Sequence, residues 1–377
     1  MFKRLFISNL SENVYSLMGR KYDLCYTAHL MDIENTIVEI MQGRRKAPLL
    51  RPALKGVSWA YQLAIALRHF CYDRHLFQTY ALDVPVVSVG NLVVGGTGKT
   101  PLIQLLCSHL QDKIPLAILT RGFKSRFEKE GKIERISHFS PQECGDEPYL
   151  LSKKTNAAIW VGADRVESGK RAIAEGAQCL LLDDGMQHRR LKRDFEIALV
   201  DGTNPFSEHC FLPCGLLRDT PKRLRLADLI VATHVHDIGV LNNVRSQIAR
   251  YSNAPIVAVD IEILNRQSFT PGPAGLFCAI GSPSHFLRTA EKLKQEIVHT
   301  MILKDHEQPT PLQLEQFAIE CRKKGARYIL CTEKDAVKLP ALSLPLQIVP
   351  VEMRLKIVSG QEHWEDLIET ILAKVNA

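Results

Sequence analysis

The segment Val86–Pro101, which reads VVSVGNLVVGGTGKTP, constrains the fold more than any other part of the chain. An apolar run is followed by a glycine-rich loop, and a Lys-Thr pair then opens a stretch with helical periodicity. The backbone amides of such a loop, the lysine ammonium and the positive end of the following helix together form a cradle for phosphate. The segment therefore predicts a strand, a phosphate-binding loop (P-loop) and a helix in succession.

The predicted nucleotide-binding residues of the loop are eight consecutive positions: Val93, Val94, Gly95, Gly96, Thr97, Gly98, Lys99 and Thr100. Lys99 is expected to reach the β and γ phosphate oxygens, and the Thr100 hydroxyl is expected to ligate Mg²⁺. Val93 stands where the strict consensus has a glycine, so we expect Gly95 and Gly96 to supply the backbone freedom. Pro101 falls in the first helical turn, where its missing amide donor costs nothing.

A second apolar run ends in two acidic residues. Cys179 to Leu182 is predicted to be a strand, and Asp183 and Asp184 follow directly in the sequence CLLLDDG. Open α/β sheets bind ligands beyond the carboxyl ends of their strands, and P-loop enzymes place there an acid that supports Mg²⁺. We therefore predict a metal site at this acidic pair, and the sequence leaves open which of the two carboxylates is the ligand.

Short apolar runs alternate with helical patterns along most of the chain, which indicates an α/β protein with a doubly wound parallel sheet. At 377 residues the chain is longer than most single cores, so two domains are expected. A Pro- and Gly-rich stretch near Asn265 to Gly275 marks a linker, and a second alternation follows it. We predict an N-terminal extension at 1–48, a basic amphipathic region at 49–82, a P-loop domain at 83–264 and a smaller α/β domain at 265–377.

The region before the P-loop domain combines positive charge with an apolar helical stripe. Residues 41–77 contain seven basic side chains and one acidic side chain, and three of the basic ones, Arg44, Arg45 and Lys46, are consecutive. Trp59, Leu63, Leu67 and Phe70 recur at helical spacing. Such a helix either lies in a membrane interface or packs on the neighbouring domain, and the sequence favours neither. No apolar stretch is long enough to predict a transmembrane helix.

Eight motifs occur in the order seen in tetraacyldisaccharide 4'-kinases of lipid A biosynthesis: SVGNLVVGGTGKTP, LTRGF, GDEPYLL, LLLDDGMQHRRLKRD, LPCGLLRD, ADLIVATH, DH and TEKDAVKL. From about Leu49 to its C-terminus the chain resembles this family. The resemblance implies transfer of the γ-phosphate of ATP to the 4'-hydroxyl of a tetraacylated glucosamine disaccharide 1-phosphate, with ATP and Mg²⁺ as cofactors. It further implies a peripheral position at the cytoplasmic face of the inner membrane.

The family fold consists of two α/β/α domains joined by a two-stranded linker, for which Ile256 to Ile263 and Leu346 to Val351 are candidate strands. The resemblance also suggests that Asp146 of the GDEP motif is the catalytic base and that His306, in the second domain, orients it. Without the resemblance, Asp146 would equally well be a helix cap and His306 a surface histidine.

Three arginines are each adjacent to a motif. Arg121, Arg165 and Arg218 are predicted to contact the phosphates of ATP or the 1-phosphate of the substrate, because guanidinium groups bind phosphate in a bidentate manner.

Parts of the sequence also occur in two other classes of protein. P-loop ATPases and GTPases that act as switches usually carry a second lysine just before the glycines, where Val93 and Val94 stand here, and no N-K-x-D motif is present. The basic cluster would suit nucleic acid, yet no signature of a nucleic-acid-binding fold accompanies it. The predicted partners are therefore the lipid disaccharide 1-phosphate and a membrane surface, and not nucleic acid.

Overall fold

The computed structural model of the chain describes residues 36–37, 39–41, 47–305, 307–340 and 342–377. Arg44, Arg45, Lys46 and His306, as well as most of the predicted extension at 1–48, lie outside the described residues. The chain divides into two compact units. One comprises the described residues up to Ala64 together with Glu208–Leu216, and the other comprises Ile65–Ser207 and Leu217–Ala377.

The described part of the chain contains thirteen strands, numbered here in chain order: β1 Val86–Asn91, β2 Leu116–Thr120, β3 Glu134–Arg135, β4 Ala158–Val161, β5 Cys179–Asp183, β6 Phe195–Asp201, β7 Leu229–Thr233, β8 Ile256–Ile263, β9 Gly272–Cys278, β10 Gln295–Ile302, β11 Ile329–Thr332, β12 Ile348–Val351 and β13 Met353–Ser359. The α-helices span Arg51–Asp73, Lys99–Leu110, Arg126–Glu130, Pro141–Cys144, Asp146–Lys154, Arg165–Ala174, Ile238–Ile248, Pro283–Lys292, Pro311–Lys323, Glu333–Ala336 and Gln361–Val375.

The larger sheet has nine strands in the order β13-β8-β7-β6-β1-β5-β2-β4-β3. Its pairs are parallel except at the two edges, where β3 and β13 run antiparallel to β4 and β8. Every residue of β1, β2 and β5 is buried, which is the pattern of strands covered on both faces by helices. The prediction of a doubly wound α/β fold is confirmed.

The smaller sheet has four parallel strands in the order β10-β9-β11-β12. Helices Pro283–Lys292 and Pro311–Lys323 contribute Phe286 and Phe317 to apolar clusters that contain residues of these strands. A second, smaller α/β sheet is thus present, as predicted.

The pairing predicted for the linker strands is wrong in one of its two members. Ile348–Val351 (β12) pairs with β11 in the smaller sheet, whereas β8 pairs with Met353–Ser359 (β13). The sequence MRLKIVS of β13 alternates apolar and polar side chains, which is typical of an edge strand with one buried face. β13 returns the chain to the larger sheet, and the C-terminal helix Gln361–Val375 then packs Trp364 and Ile371 into the core of that sheet.

In the described part of the chain, no helix is both long enough and apolar enough to cross a membrane.

Candidate active site

The P-loop connects β1 to the helix Lys99–Leu110, as the sequence predicts. Gly95 and Gly98 have φ angles of 124° and 93°, a region that side chains with a Cβ rarely adopt. The helix begins at Lys99, and no side chain caps its first backbone amides. These amides can therefore bind an anion. The loop therefore has the backbone geometry of a phosphate site even though Val93 replaces the first consensus glycine.

Asn91, the last residue of β1, connects the loop to the rest of the site. Its Nδ2 donates a hydrogen bond to Thr97 Oγ1 at 2.6 Å, and Lys99 Nζ donates to its Oδ1 at 3.3 Å. Arg218 Nε donates to its carbonyl oxygen at 3.3 Å. We did not single out Asn91 from the sequence, although a polar residue at the carboxyl end of the central strand was a signal that could have identified it.

Asp184 follows β5 with a left-handed φ of 54°, an uncommon conformation for a residue other than glycine. Arg218 binds both of its carboxylate oxygens, one of them from Nη1 at 2.7 Å, and Lys99 Nζ lies 3.5 Å away. Partial burial acts to raise the pKa of Asp184, but Arg218 and Lys99 outweigh it and hold that pKa well below its usual range. Asp184 is thus an ionised anchor for the two cations.

Asp183 lies in a different environment. It is 6% exposed, and its Oδ2 accepts a hydrogen bond from Thr120 Oγ1 at 2.9 Å. Burial, with added repulsion from Glu147 and Asp184, raises the pKa of Asp183 to about 6. A buried carboxylate among other carboxylates is an environment that a bound divalent cation would stabilise.

Asp146 is the first residue of the helix Asp146–Lys154. Gly145, with a φ of 101°, separates Asp146 from the preceding short helix Pro141–Cys144. Lys338 Nζ lies 3.5 Å from Asp146 Oδ2 and 3.1 Å from Asp335 Oδ1. Lys338 belongs to the TEKDAVKL motif, yet its long-range contact could not be predicted from that motif.

The three predicted arginines have different partners. Arg218 shares Asp184 with Lys99, as described above, whereas Arg121 Nε pairs with Glu128 Oε1 at 2.7 Å. Arg165 is buried and donates to the carbonyl oxygen of Gly162, and burial lowers its pKa to about 10. Arg218 is therefore the one of the three that shares partners with Lys99.

Segments that flank strands of the smaller sheet lie against the P-loop side of the larger sheet. A Cβ added to Gly281, just beyond β9, would lie 3.1 Å from the amide nitrogen of Gly96. Lys334 Nζ lies 3.0 Å from Glu147 Oε1 and 3.3 Å from Asp305 Oδ1. Burial acts to lower the pKa of Lys334, but these two carboxylates outweigh it and raise that pKa. His306 follows Asp305 and lies outside the described residues.

A search of known proteins identified relatives along most of the chain. The family model Tetraacyldisaccharide-1-P 4'-kinase matches residues 50–373. The chain is 36% identical to a tetraacyldisaccharide 4'-kinase of Chlamydia pneumoniae, over 76% of this chain and 82% of the relative. It is 34% identical to one of Syntrophus aciditrophicus, over 82% of this chain and 91% of the relative.

A solved structure is also similar. The crystal structure of LpxK from Aquifex aeolicus in complex with ATP superposes with a TM-score of 0.66 at 26% identity. The match covers 86% of this chain and all of that protein.

Proposed function

The chain belongs to the tetraacyldisaccharide-1-P 4'-kinase family, and we propose the roles that its residues play in the reaction. The reaction transfers the γ-phosphate of ATP to the 4'-hydroxyl of a tetraacylated disaccharide 1-phosphate. The residues around the P-loop take the roles described below. The activity is that of an ATP-dependent kinase in lipid A biosynthesis, as its family membership indicates. The observation that carries the assignment of roles is the network in which Asn91 and Asp184 hold Lys99 and Arg218 beside the glycine loop.

Phosphoryl transfer requires positive charge at the phosphates more than it requires covalent chemistry from the protein. Lys99 and Arg218 share Asp184 as a counterion, so both are held in place before a nucleotide binds. We assign Lys99 to the β and γ phosphates, as in other P-loops, and Arg218 to the transferred group. Preorganised cations of this kind lower the activation barrier of phosphoryl transfer, because they need little reorganisation during the reaction.

The donor set fits a magnesium ion. Oxygen ligands are what Mg²⁺ prefers, and Thr100 and Asp183 supply a hydroxyl and a carboxylate. Asp183 is favoured over Asp184 because Arg218 already binds both carboxylate oxygens of Asp184, whereas the hydrogen bond from Thr120 engages only Oδ2 of Asp183. When bound, the ion would neutralise charge on the phosphates. Glu147 adds negative charge near Asp183, which further favours a cation there.

Asp146 is our candidate for the base. Its carboxylate would accept the proton of the 4'-hydroxyl while the hydroxyl oxygen forms a bond to the γ-phosphorus and the bond to the β–γ bridging oxygen breaks, releasing ADP. The buried ammonium of Lys338 beside Asp146 supports this role, because it fixes the carboxylate in one position. His306 remains the proposed orienting histidine on the strength of the family resemblance alone.

The loop at Gly281 bears on the reaction cycle. Its closeness to the Gly96 amide leaves little room for a phosphate oxygen at that donor. We propose that the smaller sheet moves away from the P-loop when ATP enters and then closes over the bound nucleotide with the Gly281 loop displaced from the Gly96 amide, which would also exclude water from the reacting phosphate. The Lys334 ion pairs with Glu147 and Asp305 are the contacts that such a movement would have to change.

The helix Arg51–Asp73 is our candidate for membrane attachment. In a water-soluble protein an amphipathic helix normally buries its apolar face. This helix does the reverse, because Ser58 and His69 are buried while its large apolar side chains are exposed: Trp59 by 76%, Leu63 by 67%, Leu67 by 61% and Phe70 by 51%. His69 is held by Asp219, whose Oδ1 lies 2.8 Å from His69 Nε2. We propose that the exposed face enters the membrane interface where the acylated substrate is found.

A phosphotransfer assay tests the proposal. Purified protein would be incubated with Mg²⁺, ATP labelled in the γ-phosphate and the acylated disaccharide 1-phosphate in mixed micelles. Label in the 4'-phosphorylated lipid supports the assignment, and hydrolysis of ATP without labelled lipid would refute it.

A further inference from the structure

Three side chains with metal-binding atoms meet at a place to which no role in the kinase reaction was assigned above. Asp201 ends β6, His234 directly follows β7, and His285 lies in the first turn of the helix Pro283–Lys292. His234 Nδ1 is 3.4 Å from Asp201 Oδ2, and His285 Nε2 is 3.6 Å from the same oxygen. All three potential ligand atoms lie within 4.8 Å of one another.

The surrounding residues hold these groups ready. Thr203 donates to Asp201 Oδ1 from its amide nitrogen at 2.9 Å and from its hydroxyl at 2.7 Å, which leaves Oδ2 facing the two imidazoles. A carboxylate whose second oxygen is fixed by hydrogen bonds is typical of metal ligands. His234 has a left-handed φ of 58°, a conformation that is uncommon outside glycine and is often retained at functional sites.

We propose that Asp201, His234 and His285 bind a divalent transition metal ion of the Zn²⁺ class. Zinc bonds to histidine nitrogen and carboxylate oxygen are about 2.0–2.2 Å long, so ligand atoms around a tetrahedral ion stand roughly 3.3–3.6 Å apart. The two separations from Asp201 Oδ2 already have this size. Two imidazoles and one carboxylate are a ligand set that zinc and its neighbours accept and that Mg²⁺ does not favour.

Two of the three proposed ligands are in the protonation state that metal binding requires. Burial, with repulsion from His234, lowers the pKa of His285 to about 4, so its imidazole is neutral and can ligate. Burial acts to raise the pKa of Asp201, but His234 and Thr203 outweigh it and keep the carboxyl ionised.

The site would join the two sheets. Asp201 and His234 belong to the larger sheet, His285 belongs to a helix packed on the smaller one, and the ion would cross-link them. Thr233 Oγ1, next to His234, donates to the carbonyl oxygen of Thr97 in the P-loop at 3.2 Å. A bound ion would therefore hold the smaller sheet against the nucleotide site and stabilise the closed arrangement.

Titration of the full chain with Co²⁺, which reports its coordination through visible absorption bands, tests the site directly. We expect one equivalent to bind with a tetrahedral or five-coordinate spectrum, Zn²⁺ to displace it, and excess Mg²⁺ to leave it in place. His285→Ala should weaken binding roughly tenfold or more, and His234→Asn, whose side chain tolerates a left-handed φ, should do the same. His363→Ala, which changes a histidine on the C-terminal helix, is the matched control and should bind as the wild type does.

Thermal unfolding completes the test. Zn²⁺ should raise the Tm of the wild type and of His363→Ala but not that of His285→Ala, with all three unfolding at similar temperatures when a chelator is present. Equal Co²⁺ affinity in the wild type and both site variants, absence of binding to the wild type, or displacement by Mg²⁺ would overturn the proposal.

Discussion

Lys338 Nζ lies 3.5 Å from Asp146 Oδ2, although the two residues come from segments associated with different sheets. The Lys338 side chain is 2% exposed, and its second neighbour Asp335 is fully buried. A buried ammonium between two carboxylates restricts all three groups, because leaving any one unpaired in a low-dielectric environment is costly. The proposed base is thus positioned by a residue that reaches it only when the two sheets are together.

Replacing Asp146 by Asn tests the base. The amide keeps the size of the side chain but cannot accept the proton, so we expect kcat to fall by about 10²–10⁴-fold while the KM for ATP changes little. Steady-state kinetics with both substrates provide the measurement. A large rise in the KM for ATP would instead assign Asp146 to the metal site.

His306→Ala tests whether the histidine works together with Asp146. If the two residues act as one unit, each single change should lower kcat strongly and the double variant should be scarcely slower than either. Losses that multiply in the double variant would assign the two residues separate roles.

Replacing Lys338 by Met should destabilise the fold as well as slow the reaction. The change leaves the buried Asp335 carboxylate without its ammonium neighbour, and we expect the free energy of unfolding to fall by about 3–5 kcal/mol. Urea denaturation measures this effect, with Lys323→Met as the control because the Lys323 side chain is 67% exposed. Equal stability of the two variants would show that the Lys338 contacts contribute little.

Asp183 should make the metal-free protein sensitive to pH. Burial raises the pKa of Asp183 to about 6 from an ordinary 3.8, so the folded state binds the proton more tightly than the unfolded state does. The wild type should therefore lose stability as the pH rises from about 4 to 6, and the full loss should persist above pH 6.

Asp183→Asn removes this loss of stability because the amide cannot ionise. The amide oxygen can still accept the hydrogen bond from Thr120. Without metal, the variant should have a higher Tm than the wild type at pH 8 and nearly the same Tm at pH 4. Mg²⁺ should stabilise the wild type and not the variant. A lower Tm for Asp183→Asn at pH 8 in a chelator would contradict the account of this carboxylate.

The exposed apolar face of the helix Arg51–Asp73 should determine vesicle binding. Leu63→Glu places a charge in that face without touching the buried His69, so we expect a large loss of sedimentation with anionic vesicles. Ile238→Glu is the control, since Ile238 is an equally exposed apolar side chain on another helix, with 67% exposure in both cases. Equal vesicle binding by the wild type and Leu63→Glu would refute the membrane assignment.

The parts of the site that could be predicted are those formed by residues close together in the sequence. The P-loop and the acidic pair after β5 are continuous segments, and parallel strands bring their carboxyl ends to one edge of the sheet. Asn91 and Lys338 were missed because their importance depends on partners such as Arg218 and Asp146, which are remote in the sequence. Such contacts arise from tertiary packing and leave no local periodicity.

The same limit applies to the fold. Helical spacing identified the apolar stripe of the helix Arg51–Asp73, but periodicity does not reveal which face the protein covers, and here the buried His69–Asp219 pair holds the polar side inward. Likewise, β12 and β13 are separated only by Glu352, and no local signal distinguishes which of the two strands returns to the larger sheet.

The most direct test of the central claim is the transfer of labelled γ-phosphate from ATP to the disaccharide 1-phosphate by the wild type, Lys99→Ala and Lys113→Ala. Lys113 is an exposed lysine just beyond the P-loop helix and serves as the control. We predict 4'-phosphorylated product from the wild type and Lys113→Ala, and a loss of roughly a hundredfold or more in Lys99→Ala at unchanged Tm. Normal turnover by a folded Lys99→Ala protein would contradict the account.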